Sequence, residues 1–153
     1  MDKISRRENL EKIAEIDIFV SKINFNETYK GLNISWINPR ITDFDYSFDG
    51  SFLGNWNVEV LRPKNKMKFE DIVNLCKQDG YEPANIFHLL SFVNSVGNIK
   101  EYKSLMAPKS ISKDDFGYIG CVVLENTNEL KLGLGNWRGS KIGGYDILRV
   151  KKA

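Results

Sequence analysis

The sequence predicts an α+β fold in which an antiparallel sheet packs against two central amphipathic helices. Alternating apolar and polar residues indicate strands in the first and last thirds of the chain. In the middle third, apolar residues recur at helical spacing and indicate helices. Helices segregated from strands in this way are typical of α+β domains. No linker divides the 153 residues, so we expect a single domain spanning residues 1–153.

The middle of the chain, FEDIVNLCKQDGYEPANIFHLLSFV, predicts two short helices. The apolar residues of each recur at i, i+3, i+4 and i+7: Phe69, Ile72, Val73 and Cys76, then Ile86, Leu89, Leu90 and Val93. We expect Gly80 to end the first helix, Pro83 to open the second at its first position, and Gly97 to end it. Both helices should pack into the core.

A further helix is predicted near the N-terminus, over residues 5–16. Ser5 can cap it, and Glu8 stands at the capping-box position. Apolar residues follow at helical spacing, at Leu10, Ile13 and Ala14. Near Ile16 the spacing becomes alternating, which leaves open whether the helix continues or a strand begins.

Strands are predicted between these helices. Leu32, Ile34 and Trp36 alternate with polar residues, and the segment ITDFDYSFDG alternates aromatic residues with aspartates. Asp49 and Gly50 form a turn signal. Trp56, Val58 and Val60 then indicate the returning strand of an antiparallel pair.

The last third predicts a three-stranded meander, with strands over residues 118–124, 130–134 and 145–151. Residues 102–116 show neither period and contain Pro108, so we expect a long loop there. Long loops inside compact domains are often functional.

Two segments carry a resemblance to a known fold. The helix–glycine–helix segment above and the C-terminal GNWRGSKIGGYDILRVKK resemble C-type-lectin-like and formylglycine-generating-enzyme-like domains over about residues 68–152. The chain is also similar to short uncharacterised proteins of phages and mobile elements. The resemblance implies a C-type-lectin-like fold but no activity. In calcium-dependent lectins an Asn follows the Trp, whereas here Asn136 precedes Trp137. Formylglycine-generating enzymes need two reactive cysteines near the C-terminal region, whereas this chain has only Cys121 there.

Composition limits the classes of protein that fit. Apolar residues make up 42% and charged residues 27%, as in soluble globular proteins. No apolar run is long enough to cross a membrane. The first residues lack the apolar region of a secretory signal. Cys76 and Cys121 lie in apolar patterns, which favours free buried thiols in a reducing compartment. We therefore expect a cytoplasmic protein with no membrane partner, or a part of a larger particle.

Charge is unevenly distributed along the chain. Residues 1–60 contain 7 Lys/Arg and 10 Asp/Glu, a net charge of −3, whereas residues 61–153 contain 15 and 10, a net charge of +5. Such asymmetry can mark a basic binding face, although it more often reflects solvated lysines.

Catalytic and metal-binding patterns have little support. Asp43, Asp45 and Asp49 could bind Ca²⁺, but Phe48 and Gly54 occupy positions where an EF-hand needs glycine and glutamate. His88 is the only histidine, and its place in an apolar helix favours a partly buried structural role. We expect no catalytic set, no metal and no cofactor.

One group of residues has the composition of a binding surface: Asn136, Trp137, Arg138, Lys141 and Tyr145. An aromatic face can stack on a base or sugar, while Arg and Lys can meet phosphates or carboxylates. The alternative is a structural role for Trp137, because a Trp at the end of a strand more often packs over the sheet edge. The leading hypothesis is a non-enzymatic module that recognises a protein partner through this region and the loop at 102–116. The alternative is a small nucleic-acid-binding or nuclease-inhibiting protein of a mobile element. A third hypothesis is an enzyme using Asp43, Asp45 or His88.

Overall fold

The computed structural model describes residues 10–21, 31–39, 41, 52–113, 119–136 and 140–153. In this part of the chain the strands are β1 (Leu10–Val20), β2 (Ile34–Ile37), β3 (Gly54–Pro63), β4 (Glu82–Pro83), β5 (Ser104–Lys113), β6 (Ile119–Asn126), β7 (Leu130–Asn136) and β8 (Tyr145–Lys152). The helices are α1 (Phe69–Cys76) and α2 (Ile86–Val96).

All eight strands belong to one sheet, whose order is β1-β3-β8-β5-β6-β7-β2, with β4 pairing beside β8. Neighbouring strands are antiparallel except β5 with β8 and β2 with β7. The predicted α+β class, with a mostly antiparallel sheet and two central helices, is confirmed. The C-type-lectin-like suggestion stays a prediction.

The two helices pack on opposite faces of this sheet. Helix α2 is buried along its first eight residues and forms the main core with strands such as β3 and β8. Helix α1 covers a smaller apolar cluster through Ile72 and Cys76, which meet Met106 and Ile147 from the sheet. A sheet covered on both sides needs strands that are apolar on both faces.

The ends of helix α2 are fixed by local hydrogen bonds. Asn85 is its N-cap and accepts a hydrogen bond from the His88 N–H, while the Asn85 N–H donates to His88 Nδ1. This reciprocal capping box satisfies two polar groups that a helix end leaves open. Gly97 ends the helix with φ of 77°, as predicted.

The predicted N-terminal helix is wrong over residues 10–16, where the chain forms strand β1, and residues 5–9 lie outside the described residues. Strand β1 pairs with β3 along its length, from Leu10 opposite Pro63 to Val20 opposite Gly54. The register shifts between Lys12 and Ala14. A bulge breaks the two-residue period locally, so the apolar spacing there imitates a helix.

The predicted loop at 102–116 is wrong over residues 104–113, which form strand β5 in the middle of the sheet, and residues 114–116 lie outside the described residues. Leu105 reaches the main core and Met106 the smaller cluster, and both are fully buried. A strand buried on both faces shows no alternation. Its pairing with β6 is also irregular between Ala107 and Ile111, which brackets Pro108.

Several boundaries differ from the predictions. The last strand does not complete a meander, because β8 inserts between β3 and β5 while β6 pairs with β7. Pro83 lies in β4 and does not open α2. Helix α1 ends at Cys76, and Gly80 closes the short 3₁₀ turn that follows. The early strand begins at Ile34, and the aspartate-rich segment at 42–50 lies outside the described residues.

Neither described helix is both long enough and apolar enough to cross a lipid bilayer.

Candidate lysine-lined binding site

Two grooves lie where the connection from β3 to α1 meets the segment before β8. Met67 in the first connection and Ile142 in the second form a β-bridge. The Met67 N–H donates to the Ile142 carbonyl at 3.0 Å, and the Ile142 N–H donates to the Met67 carbonyl at 2.6 Å. The bridge holds the two segments against each other and against the α1 side of the sheet.

The larger groove has a volume of about 450 Å³. It lies beside the first turns of α1 and has an apolar component from Leu10, Met67 and Leu75. Its polar lining comes from Asn65, Lys66, Lys68, Glu70, Asp71, Asn74 and Lys141. A volume of this size falls within the usual range of ligand pockets.

The smaller groove, of about 200 Å³, lies beyond Lys66 toward the start of β8. Its floor is lined by Ile72, Ile142 and Ile147, which are themselves buried. Lys64, Lys66, Lys103 and Tyr145 stand around it, with Pro63, Asn65, Gly143 and Gly144. Asn65 and Lys66 therefore border both grooves.

The exposed side chains around the grooves are mainly lysines. Lys64, Lys66, Lys68, Lys103 and Lys141 are exposed, and we call the two grooves with these five residues the lysine-lined surface. Among the described residues, no carboxylate lies within ion-pairing distance of any of the five. Glu70 and Asp71 on α1 reduce the local charge from +5 to +3.

The position of Lys66 depends on a glycine. A Cβ atom at Gly143 would lie 2.9 Å from Lys66 Cγ, closer than atoms can approach without moving. The absence of a side chain there lets the Lys66 stem cross the segment. Gly144 follows with φ of 84°, a conformation that glycine adopts easily.

Two buried carboxylates elsewhere in the fold, Glu59 and Asp146, are engaged in structural pairs. Asp146 is fully buried and accepts hydrogen bonds from Arg62 Nε at 2.8 Å and Arg62 Nη2 at 2.9 Å, as well as from the Lys103 N–H at 2.7 Å. Glu59 is also buried and accepts from Arg149 Nε at 2.9 Å. These pairs join β3 to β8 and leave their charges neutralised.

Arg149 is held from a second side by an aromatic ring. Its guanidinium lies 4.1 Å from the centroid of the Tyr81 ring, and the Tyr81 hydroxyl donates to Asn57 Oδ1 at 2.8 Å. Burial raises the pKa of Tyr81, and the nearby Glu59 raises it further. Arg149 is therefore a structural cation, unlike the five groove lysines.

Two of the five predicted site residues border the lysine-lined surface. Lys141 lines the larger groove, whereas Tyr145 is half-buried beside the smaller one. Asn136 is the last residue of β7, and nothing is described of its side chain. Trp137 and Arg138 lie outside the described residues. The structure thus brings Lys141 and Tyr145 to neighbouring grooves but not into one cavity.

Sequence reasoning missed Lys64, Lys66, Lys68 and Lys103. The first three alternate in the stretch PKNKMK, directly after a strand. The +5 charge of residues 61–153 pointed to this half of the chain without locating the residues. The alternation of lysines in a strand-to-helix connection was the signal available.

His88 is a structural residue, fully buried, and not the partly buried one predicted. Its ring lies 4.5 Å from the Trp56 ring at 71°. Burial lowers the pKa of His88 to about 3, with a smaller contribution from Lys109. Since Nδ1 accepts the Asn85 N–H, the neutral ring carries its proton on Nε2, which has no hydrogen-bond partner among the described residues.

Cys76 and Cys121 are free and buried, as predicted. Burial raises the pKa of the Cys76 thiol to about 12 and also raises that of Cys121. Thiols protonated to this extent are poor nucleophiles and metal ligands.

Within the described ranges, no group of three or more His, Cys, Asp and Glu side chains is arranged to hold a metal ion. Asp43, Asp45 and Asp49, the residues considered for Ca²⁺, lie outside those ranges.

Comparisons with known proteins identified no relative of this chain. No family model, no curated protein and no solved structure matches it.

Proposed function

We propose that this protein is a non-enzymatic binding module that recognises an anionic protein partner through the lysine-lined surface. One observation carries the proposal: five exposed lysines without an ion-pair partner among the described residues converge on two adjoining grooves. Unpaired cations around a concave surface attract acidic partners and increase the rate of encounter.

The location of the proposed surface differs from the first hypothesis. The segment at 102–116 cannot act as an exposed loop where it forms β5, since residues 105–108 are buried. Lys141 and Tyr145 remain part of the proposed surface. The recognition residues are thus the groove lysines together with this part of the C-terminal region.

The acidic residues of the larger groove favour a protein over a polynucleotide. Glu70 and Asp71 lie beside Lys66 and Lys68. A nucleic acid presents phosphates in a continuous row, and some of them would approach these carboxylates. A protein can place a basic or neutral residue opposite Glu70 and Asp71 and acidic residues opposite the lysines.

Nucleic-acid binding is the second candidate, because the same five exposed lysines could contact phosphates. In that case affinity would fall steeply as salt rises and would not depend on the sequence of a protein partner. The two candidates therefore differ in what is captured after nucleic acids are removed.

The test is affinity capture from an extract of the native host after nuclease digestion. Three immobilised proteins are compared: the native chain, the variant Lys66→Glu/Lys141→Glu, and the control Lys77→Glu/Lys100→Glu. Lys77 and Lys100 are exposed and lie outside both grooves. Because both double variants change the net charge equally, a non-specific charge effect would appear in both.

We expect a protein captured by the native chain and the control but lost from the groove variant. Equal capture by all three proteins would contradict the proposed surface. The nucleic-acid candidate would replace the proposal if two results were obtained. The captured material would disappear on nuclease treatment, and purified oligonucleotides would bind the native chain.

A further inference from the structure

We infer that the lysine-lined surface binds an extended acidic segment of the partner that carries two apolar side chains, one for each groove. This inference rests on the proposed function and specifies the recognised element. It follows from the floors of the grooves, the rim of lysines, and the position of Lys66 between the grooves.

The floors of both grooves are largely aliphatic. Leu10, Met67 and Leu75 contribute to the larger groove, and three isoleucines contribute to the smaller one: Ile72, Ile142 and Ile147. Aliphatic floors remove an apolar side chain from water but offer no flat ring on which a base can stack. Tyr145 is the aromatic residue among the described linings, and it lies half-buried at the smaller groove.

The lysines lie around these floors. Lys68 and Lys141 border the larger groove, and Lys64 and Lys103 border the smaller one. An apolar centre within a charged rim is the usual arrangement of a protein interface. An occupant that fills both floors therefore needs carboxylates beside its apolar side chains.

Lys66 separates the two grooves because its stem crosses Gly143 and its side chain borders both. A single side chain cannot fill both floors while Lys66 stays in place. Two apolar side chains on one segment can straddle it, and an acidic residue between them can meet the Lys66 ammonium group.

Charge complementarity also favours this occupant over two others, a symmetrically placed second copy and the first nine residues of the chain. A symmetrically placed second copy would bring the same five lysines against this surface. Residues 1–9, which precede Leu10 at the larger groove, contain Lys3, Arg6 and Arg7 against Asp2 and Glu8, a net charge of +1. Neither complements a surface of local charge +3, whereas an acidic segment does.

The test is selection of peptides from a phage-displayed library of random dodecapeptides on the immobilised native chain. We expect enriched sequences that contain Asp or Glu around two apolar positions. Fluorescein-labelled copies of an enriched peptide should bind in solution, and copies with either apolar residue replaced by serine should bind at least ten-fold more weakly.

A steric variant tests whether the larger groove holds one of these side chains. Asn74 is exposed on α1 and lines this groove, so Asn74→Trp should fill it and weaken the peptide at least ten-fold. Asn94 is exposed on α2 away from both grooves, so Asn94→Trp is the matched control and should leave affinity unchanged.

Enrichment of basic sequences, no enrichment, or equal binding by Asn74→Trp and Asn94→Trp would overturn the inference. These outcomes are separable from failure of the proposed function. If a protein is captured in a lysine-dependent way but no peptide is enriched, the partner is recognised through a folded surface. In that case the inferred extended segment is wrong and the proposed function stands. If capture is also independent of the lysines, both proposals fail.

Discussion

The stem of Lys66 lies over Gly143, where a Cβ atom would come within 2.9 Å of Lys66 Cγ. This contact fixes the boundary between the two grooves. Gly143 has no positive φ, so its requirement for glycine comes from the neighbouring lysine and not from the backbone.

Gly143→Ala should therefore displace Lys66 and weaken partner binding with little loss of stability. Titration calorimetry should show a several-fold lower affinity for an enriched acidic peptide. The melting temperature should stay within a few degrees of the native value. The control is Gly31→Ala, since Gly31 has open space around its Cβ position and no positive φ. Equal affinity for both alanine variants would show that the position of Lys66 does not matter.

Asp146→Asn should destabilise the fold. The carboxylate is fully buried and holds Arg62 through two hydrogen bonds. Breaking a buried ion pair on one side costs about 3 kcal/mol or more, and urea denaturation measures this loss. The matched control is Glu82→Gln at the exposed pair with Lys109, which should cost less than about 1 kcal/mol. Similar losses in the two variants would contradict the structural role of Asp146.

Acid should destabilise the protein partly through His88. Its pKa is about 3 in the fold, against 6.5 for an ordinary histidine. Between these values the unfolded chain binds one more proton than the folded chain, so the free energy of unfolding decreases as pH falls from 6.5 toward 3. The contribution of one such proton approaches about 1.4 kcal/mol per pH unit.

His88→Gln isolates this contribution. Glutamine at this position of a capping box can still accept the Asn85 N–H but does not titrate. We expect urea denaturation between pH 7 and pH 4 to show that the free energy of unfolding depends less steeply on pH in the variant. The difference in slope should correspond to about one proton fewer taken up on unfolding. Parallel curves for the two proteins would mean that His88 is accessible to protons in the fold.

Neither thiol should react while the protein is folded. Burial raises the pKa of both Cys76 and Cys121, and both lie in the apolar cluster between α1 and the sheet. An aromatic disulfide reagent should label neither at pH 8 in buffer, and both after unfolding in guanidinium. Rapid labelling of the native protein would show that α1 opens readily.

The helices were predictable because local signals and tertiary packing agree. Ile72 and Cys76 of α1 and the whole predicted stripe of α2 face the core, and Gly97 ends α2 where its sequence position indicates. Pro83 was misleading, since it pairs in β4 while Asn85 caps the helix.

The errors in the sheet arose where long-range pairing decides local structure. The bulge in β1 between Lys12 and Ala14 produced helical spacing in a strand. Strand β5 has no alternation because Leu105 and Met106 are buried on opposite faces. The insertion of β8 between β3 and β5 depends on pairing between distant segments, which no local pattern encodes.

The candidate site was predictable only in part. Lys141 and Tyr145 were found from their neighbours in sequence, and the basic half of the chain from its net charge. The convergence of Lys103 with Lys64 and Lys66 needs the fold, because Lys103, just before β5, is distant in sequence from the β3–α1 connection.

The most direct test of the account is peptide selection repeated on Lys66→Glu/Lys141→Glu, in parallel with the native chain and the control Lys77→Glu/Lys100→Glu. If the groove lysines determine recognition, the native chain and the control should enrich the same acidic peptides, and the groove variant should lose them or enrich basic ones. Enrichment of the same peptides by all three proteins would contradict the account.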